Sequence, residues 1–380
     1  NSFAARSACR TVSNRWQQTV GAPFSDSYRS WLKCGISAGP PTALKAMELR
    51  LQIKPYAFQL SRPLQTATGV LQQRRGWLLR LQDAAGRLGW GEVSPLEVEQ
   101  LKLCQDALLP MMQPGVDWTT SSLERWLVKR PAALAFALGA ALAELDGELG
   151  SASGEGWLQS PTSAILLPAG VAMRDALDRL LSSVDSKLPF TLKWKVAACD
   201  QEEEWSLLRE LLDKLPASAR LRLDANGGWD RLQAWRWVEQ LRGDPRLEWL
   251  EQPLAADDWE ALQAIAAVRP VALDESSQAH PSWRDDWESW QVRRPLLEGD
   301  PRPLLRDLAR GKPRLMLSTT FETGIGGRWL AHLAALQAQG ETPAAPGLAP
   351  GWSPAGPLFS SDPAEVWAAA GSIEECDEHP

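Results

Sequence analysis

The chain has 380 residues, 44% of them hydrophobic and 23% charged, enough for one large α/β barrel or two domains and too apolar for disorder over most of its length. A formal charge of −7, from 47 acidic and 40 basic residues, offers no basic stripe for a phosphate backbone and argues against nucleic-acid binding. The apolar stretch from Pro131 to Leu145 falls short of the roughly 20 residues a bilayer span needs, which argues against a membrane protein. Five scattered cysteines without a C-x-x-C pair speak against a disulfide framework or a zinc knuckle and for a reducing, cytoplasmic setting. Three histidines, none in H-E-x-x-H spacing, leave acid–base work to carboxylates and lysines, and no P-loop or dinucleotide-binding glycine pattern is present.

Residues 1–46 are rich in Ser, Ala, Arg and Gly and lack sustained periodicity. Two readings are open: an organelle transit peptide, which would place the protein in a plastid, or an extension upstream of a true start at Met47, which we favour. From Met47 the pattern alternates as strands do, over Glu48–Phe58, Gly76–Gln82 and Leu88–Glu92, with Asp83-Ala84-Ala85-Gly86 as a hairpin turn. Helical spacing follows over 97–112, 121–128 and 131–149, and together these predict an α+β capping domain over residues 47–150.

After Gly150 short apolar strands alternate with helices: Ala164–Leu167, Thr191–Val196, Arg220–Asp224, Leu247–Glu251, Val271–Asp274, Ser289–Arg294 and Arg314–Ser318. Seven or eight βα units imply a parallel sheet closed into a TIM-like (β/α) barrel over residues 151–340. Residues 341–380, rich in Pro, Gly and Ala, are expected to return to the capping domain. The twenty tryptophans are scattered, as core and helix-packing residues would be.

Chemistry in such a barrel sits at the C-terminal ends of the strands. The second strand ends Thr191-Leu192-Lys193-Trp194-Lys195, so strand alternation puts both lysines on one face and Trp194 on the other. The next three strands end in Asp224-Ala225-Asn226, Glu251-Gln252-Pro253 and Asp274-Glu275, each about one βα unit from the last. Taken singly, these acids also read as a turn, a loop acid and a helix N-cap. Taken together, three carboxylates converging on one rim call for a hard divalent cation: Mg²⁺, with Mn²⁺ as an alternative. A metal beside a lysine suits abstraction of a proton α to a carboxylate, with Lys195 as base and Lys193 as a cationic neighbour that lowers its pKa.

In order and spacing, Lys193-Trp194-Lys195, Asp224-Ala225-Asn226, Glu251-Gln252-Pro253 and Asp274-Glu275-Ser276 resemble the enolase superfamily, muconate-lactonising-enzyme subgroup, over about residues 47–360. Further strings resemble the o-succinylbenzoate synthase branch of that subgroup: Arg75-Gly76-Trp77-Leu78-Leu79, Gly89-Trp90-Gly91-Glu92, the run from Ser318 to Gly326, and Pro346-Gly347-Leu348. The resemblance implies syn-elimination of water from 2-succinyl-6-hydroxy-2,4-cyclohexadiene-1-carboxylate on the way to menaquinone or phylloquinone. In that scheme Lys195 removes the α-proton and Asp224, Glu251 and Asp274 hold Mg²⁺. Ser318, Thr319, Thr320 and Gly324 meet the substrate through backbone N–H donors at a helix N-terminus. Asn226 is a further substrate-side candidate, and the 66–70 loop resembles the family's flap. One departure stands out: where the subgroup places a second lysine, this chain has Arg293-Arg294, with Arg294 the match and Arg293 the other register. Arginine cannot act as a second base, which disfavours the two-base racemases and epimerases. The rival readings are a dipeptide epimerase, N-acylamino-acid racemase or cycloisomerase of the same superfamily, and a catalytically silent barrel acting as a binding or scaffold protein.

Overall fold

The computed structural model describes residues 48–371 apart from 67–68, 114, 116, 150–155 and 185–187. The expectations for residues 1–46 and for the tip of the 66–70 loop lie outside the described residues. An antiparallel sheet forms first, from β1 (Glu48–Thr66), β2 (Gly69–Asp83), β3 (Leu88–Val93) and the short β4 (Trp118–Thr119), in the order β3-β2-β1-β4. β1 and β2 run well past the ends of their side-chain alternation, through an irregularity between Gln59 and Leu64. Paired backbones satisfy each other's hydrogen bonds even where the side chains no longer alternate. The turn at Asp83–Gly86 is as expected: Gly86 takes φ +82° and the Asp83 carboxylate accepts the N–H groups of Ala85 and Arg87.

Three helices follow, Val98–Leu108, Thr120–Leu127 and Ala132–Leu145. The first ends earlier than its periodicity suggests because Pro110 turns its last residues, Leu109–Met112, into a 3-10 turn. The third stops at Leu145, short of Leu149, where Gly147 enters the left-handed region. This helix, almost all Ala and Leu, lies directly on β3. A Cβ at Gly89 would stand 1.9 Å from the Ala141 carbonyl oxygen, and one at Gly91 2.0 Å from that of Ala137. The glycines alternate to this face of β3, so Trp90 and Glu92 point the other way.

All seven strand signals of the second half are present: β5 (Ile165–Leu167), β6 (Phe190–Lys195), β7 (Ala219–Asp224), β8 (Leu247–Glu251), β9 (Val271–Leu273), β10 (Trp290–Arg293) and β11 (Leu315–Leu317). They are parallel and lie side by side in chain order. The gap between β11 and β5 is bridged by residues 346–348. Gly347 exchanges bonds with β11, its N–H donating to Leu317 O (2.8 Å) and its carbonyl accepting from Thr319 (3.0 Å), while Pro346 O accepts from Ala164 (2.9 Å). That segment carries too few alternating residues to read as a strand, yet it closes the barrel. Odd and even positions then separate cleanly. Leu192, Trp194, Leu221, Leu223, Leu250 and Leu273 face the helices, whereas Trp249, Ala272, Val292, Met316 and Ala344 fill the inside. Five tryptophans (Trp90, Trp194, Trp237, Trp249 and Trp329) are almost wholly buried. The chain next returns to the antiparallel sheet, where the Lys54 ammonium donates to Trp367 O (3.0 Å) and Val366 packs with Tyr56, Leu78, Trp90 and Ile325. No helix among the described residues is long and apolar enough to cross a membrane.

A buried ion pair joins the two halves. Glu144, from the Ala-rich helix, accepts from the Arg328 guanidinium (2.5 Å) and the Trp329 indole (3.0 Å). Burial pushes the Glu144 carboxyl up to about 7 against the pull of Arg328, and lowers Arg328 as well, so desolvation outweighs attraction on both sides. Glu144→Ala should therefore cost about 3–5 kcal/mol by stranding Arg328, whereas Glu144→Leu with Arg328→Met should recover part of that loss, the remainder being the donors of Trp90 and Trp329 left without Glu144. Urea midpoints of the three chains check this.

Candidate active site

Strand register sets the site. Lys195 pairs with Asp224 across β6 and β7, and Asp224 with Glu251 across β7 and β8, so the three stand at one level on neighbouring strands. Lys193, one pleat below Lys195, sends its ammonium up between the acids, 2.8 Å from Asp224 Oδ2 and 2.6 Å from Glu251 Oε1. Trp194 takes the opposite face and meets Trp237 edge-on in the helix layer. With the Lys193 side chain 15% exposed, a solvated surface strand is ruled out. Asp274 follows β9 and is held by Arg294 through two bonds, Nε to Oδ1 at 3.0 Å and Nη2 to Oδ2 at 2.6 Å. Arg293 turns away to Glu298, so of the two arginines it is Arg294 that meets Asp274.

Burial and charge pull these groups in different directions. Burial disfavours the Lys193 ammonium, but Asp224, Glu251 and Asp274 outweigh it and hold the group protonated. Lys195 goes the other way: burial lowers it, Lys193 adds to the effect, and Asp224 opposes. The Glu251 carboxyl is raised, first by burial and then by Asp224 and Asp274, against Lys193. Asp274 is lowered because Arg294 and Lys193 overcome its burial, and Arg294 is correspondingly raised. A lysine biased toward its neutral form thus stands beside one locked as a cation.

The plainer readings of the acids fare unequally. Asp224 does accept the Asn226 N–H (3.1 Å), in a turn where Asn226 and Gly227 have positive φ, so its turn role and its place at the rim coexist. Asp274 precedes the helix Glu275–Ala279 but makes no capping bond; its oxygens go to Arg294 and to Gln278 (2.7 Å). Of the donors expected for the substrate after β11, those of Ser318, Thr319 and Thr320 are engaged within the protein, as are those of Thr323 and Gly326 in the same run. Ser318 N–H goes to Arg293 O, Thr319 N–H to Gly347 O, Thr320 N–H to Glu322, and Thr323 and Gly326 N–H to Glu92. The Thr319 and Thr320 hydroxyls also bond Glu322, and Gly324 is pressed against Ser360 O, where a Cβ would come within 1.8 Å. Asn226 donates to Glu275 Oε1 (3.0 Å).

Four residues have site contacts that the sequence reading left unassigned. Glu275 lies beside the acids, and burial together with Asp274 and Asp224 pushes its carboxyl up to about 7. Gln252 is fully buried and accepts the N–H groups of Asp274 and Ser276, fixing the end of β9. Trp249 supports Glu251 from below through its indole N–H (3.4 Å). Arg222 stacks on Trp249 at 3.9 Å and donates to Glu248 and to Ala345 O. The signal for Arg222 was the alternation itself, since a residue two before an inward Asp224 is also inward.

Among the described residues, a 690 Å³ groove on the antiparallel sheet, lined by Leu51, Gln82, Met111 and Trp118 among others, brings no lysine to a carboxylate. The strand ends hold the stronger claim. Residues 176–287 match the family described as Enolase C-terminal domain-like. The o-succinylbenzoate synthase of Thermosynechococcus vestitus is 33% identical over 317 residues, 75% of this chain and 88% of the relative. The chain belongs to the o-succinylbenzoate synthase family. A crystal structure of the synthase from Thermosynechococcus elongatus BP-1, complexed with Mg in the active site, superposes with a TM-score of 0.69 at 31% identity, covering 84% of this chain and 99% of that one. The L-Ala-D/L-Glu epimerase of Bacillus subtilis shares the fold, with a TM-score of 0.60 at 20% identity over 77% of this chain and 88% of its own.

Does the site of this family member suit Mg²⁺? No group of three or more His, Cys, Asp and Glu side chains among the described residues is drawn together as a ready cage. Lys193 and Arg294 occupy the acid oxygens instead. The donor chemistry fits nonetheless: Asp224, Glu251 and Asp274 are buried, all-oxygen donors on consecutive strands, and Glu251 feels the other two as like charges.

Proposed function

We propose that this chain is a Mg²⁺-dependent o-succinylbenzoate synthase that dehydrates 2-succinyl-6-hydroxy-2,4-cyclohexadiene-1-carboxylate to 2-succinylbenzoate. The observation that carries the reading is the pairing of a depressed Lys195 with three rim carboxylates and a cationic Arg294, in a chain of this family. Asp224, Glu251 and Asp274 would hold the ion, which when bound neutralises charge developing on the substrate carboxylate. The neutral Lys195 amine takes the proton from the carbon bearing that carboxylate. The ring then expels hydroxide, which leaves as water with that proton, and the product is aromatic. Lys193 and Arg294 stay charged throughout and stabilise the anion that forms. The capping unit, proposed as residues 47–150, covers the mouth of a barrel proposed as 151–340.

The test is conversion of the diene to o-succinylbenzoate by the purified protein with and without Mg²⁺. Turnover only with the ion is expected, and silence with and without it removes the assignment. Mg²⁺ should also raise the thermal midpoint, by the equivalent of about 2.7 kcal/mol at a hundred times its Kd.

Arg294 disfavours a two-base epimerase, since a guanidinium tied to Asp274 cannot exchange a proton with substrate. Arg294→Lys should keep dehydration within about tenfold of the parent, because the cation remains, while Arg294→Leu should lose about a hundredfold. Proton exchange at the α-carbon of N-acylamino acids should be weak in the parent and rise in Arg294→Lys. A parent that exchanges from both faces would favour the racemase instead.

A further inference from the structure

We propose that Glu92, helped by Arg74, is a positioning residue of the antiparallel sheet that fixes the loop after β11 and, through it, the guanidinium of Arg294. The inference rests on the dehydratase reading for its kinetic consequence. Glu92 is fully buried on β3, on the face opposite the glycines that receive the Ala-rich helix. Its carboxylate reaches across to the barrel half and accepts from Thr323 N–H (2.9 Å), Thr323 Oγ1 (2.6 Å) and Gly326 N–H (2.8 Å). Those are the orphan donors at the start of the helix Gly324–Ala338, where a negative charge is favoured. The Tyr56 hydroxyl donates to the same carboxylate (2.7 Å). The fit is close: a Cβ at residue 326 would stand 2.8 Å from Glu92 Oε2, so glycine is required for the approach.

Arg74, also buried, grips the other side of the loop. Its Nε donates to Phe321 O (3.4 Å), and its Nη atoms to Pro95 O and to Ser94. Phe321 has φ +60°, a conformation that a non-glycine residue keeps only when its surroundings hold it. Two residues before Phe321, Thr319 turns its carbonyl to Arg294 Nη1 at 2.6 Å. The guanidinium is therefore oriented by Asp274 on one side and by the loop on the other. Since the loop is held by two residues of the antiparallel sheet, seating that sheet and aiming the arginine become one event.

The test compares Glu92→Gln with the parent in the full chain. Tyr56→Phe serves as a control that touches Glu92 but leaves its bonds to the loop, and it is expected to match the parent. Without substrate, Glu92→Gln should speed amide exchange in residues 318–327 about tenfold or more and shift the Arg294 Nε–H resonance in a nitrogen-correlated spectrum. With the diene, kcat should fall about tenfold with KM within about twofold, and the added loss should shrink to twofold or less in an Arg294→Lys background. An unmoved Arg294 resonance, or an equal loss in both backgrounds, overturns the proposal. If Glu92→Gln does not fold, Thr323→Val, which removes one donor of the clamp, is judged by the same readouts. A parent that never turns over the diene removes the dehydratase reading, while the Arg294 resonance still judges the clamp.

Discussion

Lys195→Ala should lower kcat by about 10³-fold or more, the upper part of the range for losing a positioned general base, with little change in thermal midpoint. The side chain stands at the level of Asp224 on the neighbouring strand and is the one inward lysine whose pKa is depressed. The sign of the pH dependence follows. Only the neutral amine accepts a proton, so the rate of the parent rises with pH through the Lys195 pKa and is lost as pH falls below it. Because burial and Lys193 depress that pKa against the pull of Asp224, the ascending limb should lie below the ordinary lysine range near 10.4. A limb at or above that range, or a Lys195→Ala chain that still turns over at a tenth of the parent rate, would sink the assignment. Exogenous primary amines offer a finer check, since partial rescue of Lys195→Ala should follow amine basicity.

Glu251→Gln should abolish the stabilisation by Mg²⁺ and cut turnover by about 10³-fold, corresponding to the several kcal/mol a Lewis acid contributes. The change keeps the volume of a fully buried side chain but takes away the charge that faces both Lys193 and the other two acids. Lys193 keeps Asp224 at 2.8 Å, so the chain should fold, with a loss of about 1–3 kcal/mol from one charged hydrogen bond. Calorimetric titration with Mg²⁺ separates the effects: a normal isotherm with dead chemistry would place Glu251 outside the metal set. Lys193 competes with the ion for the same oxygens. Lys193→Met should therefore tighten Mg²⁺ while harming turnover, because the anion formed loses a cation.

Much of this protein could be read from its residues in order. The seven barrel strands were legible because a strand buried on both faces must be short and apolar, and four of them, β6, β7, β8 and β10, end on a charged residue. Period-two alternation alone placed Lys193 with Lys195 and against Trp194. The turn at Asp83 and the close seat of the Ala-rich helix on β3 follow from local chemistry that a few adjacent residues carry in full.

The tertiary structure decided what depends on groups far apart in sequence. Residues 346–348 close the barrel because the two neighbouring strands offer unpaired backbone groups, not because the segment has strand character of its own. Spacing alone favours Arg294 over Arg293 without fixing which faces inward, and the direction of β10 sends Arg293 to Glu298 and Arg294 to Asp274. The loop after β11 looks like a set of open donors in sequence, since nothing near it indicates that Glu92, more than two hundred residues earlier, accepts them. Periodicity reports which face a side chain takes; its partner is set by which distant face the fold brings opposite, and the same partners determine how far each pKa moves.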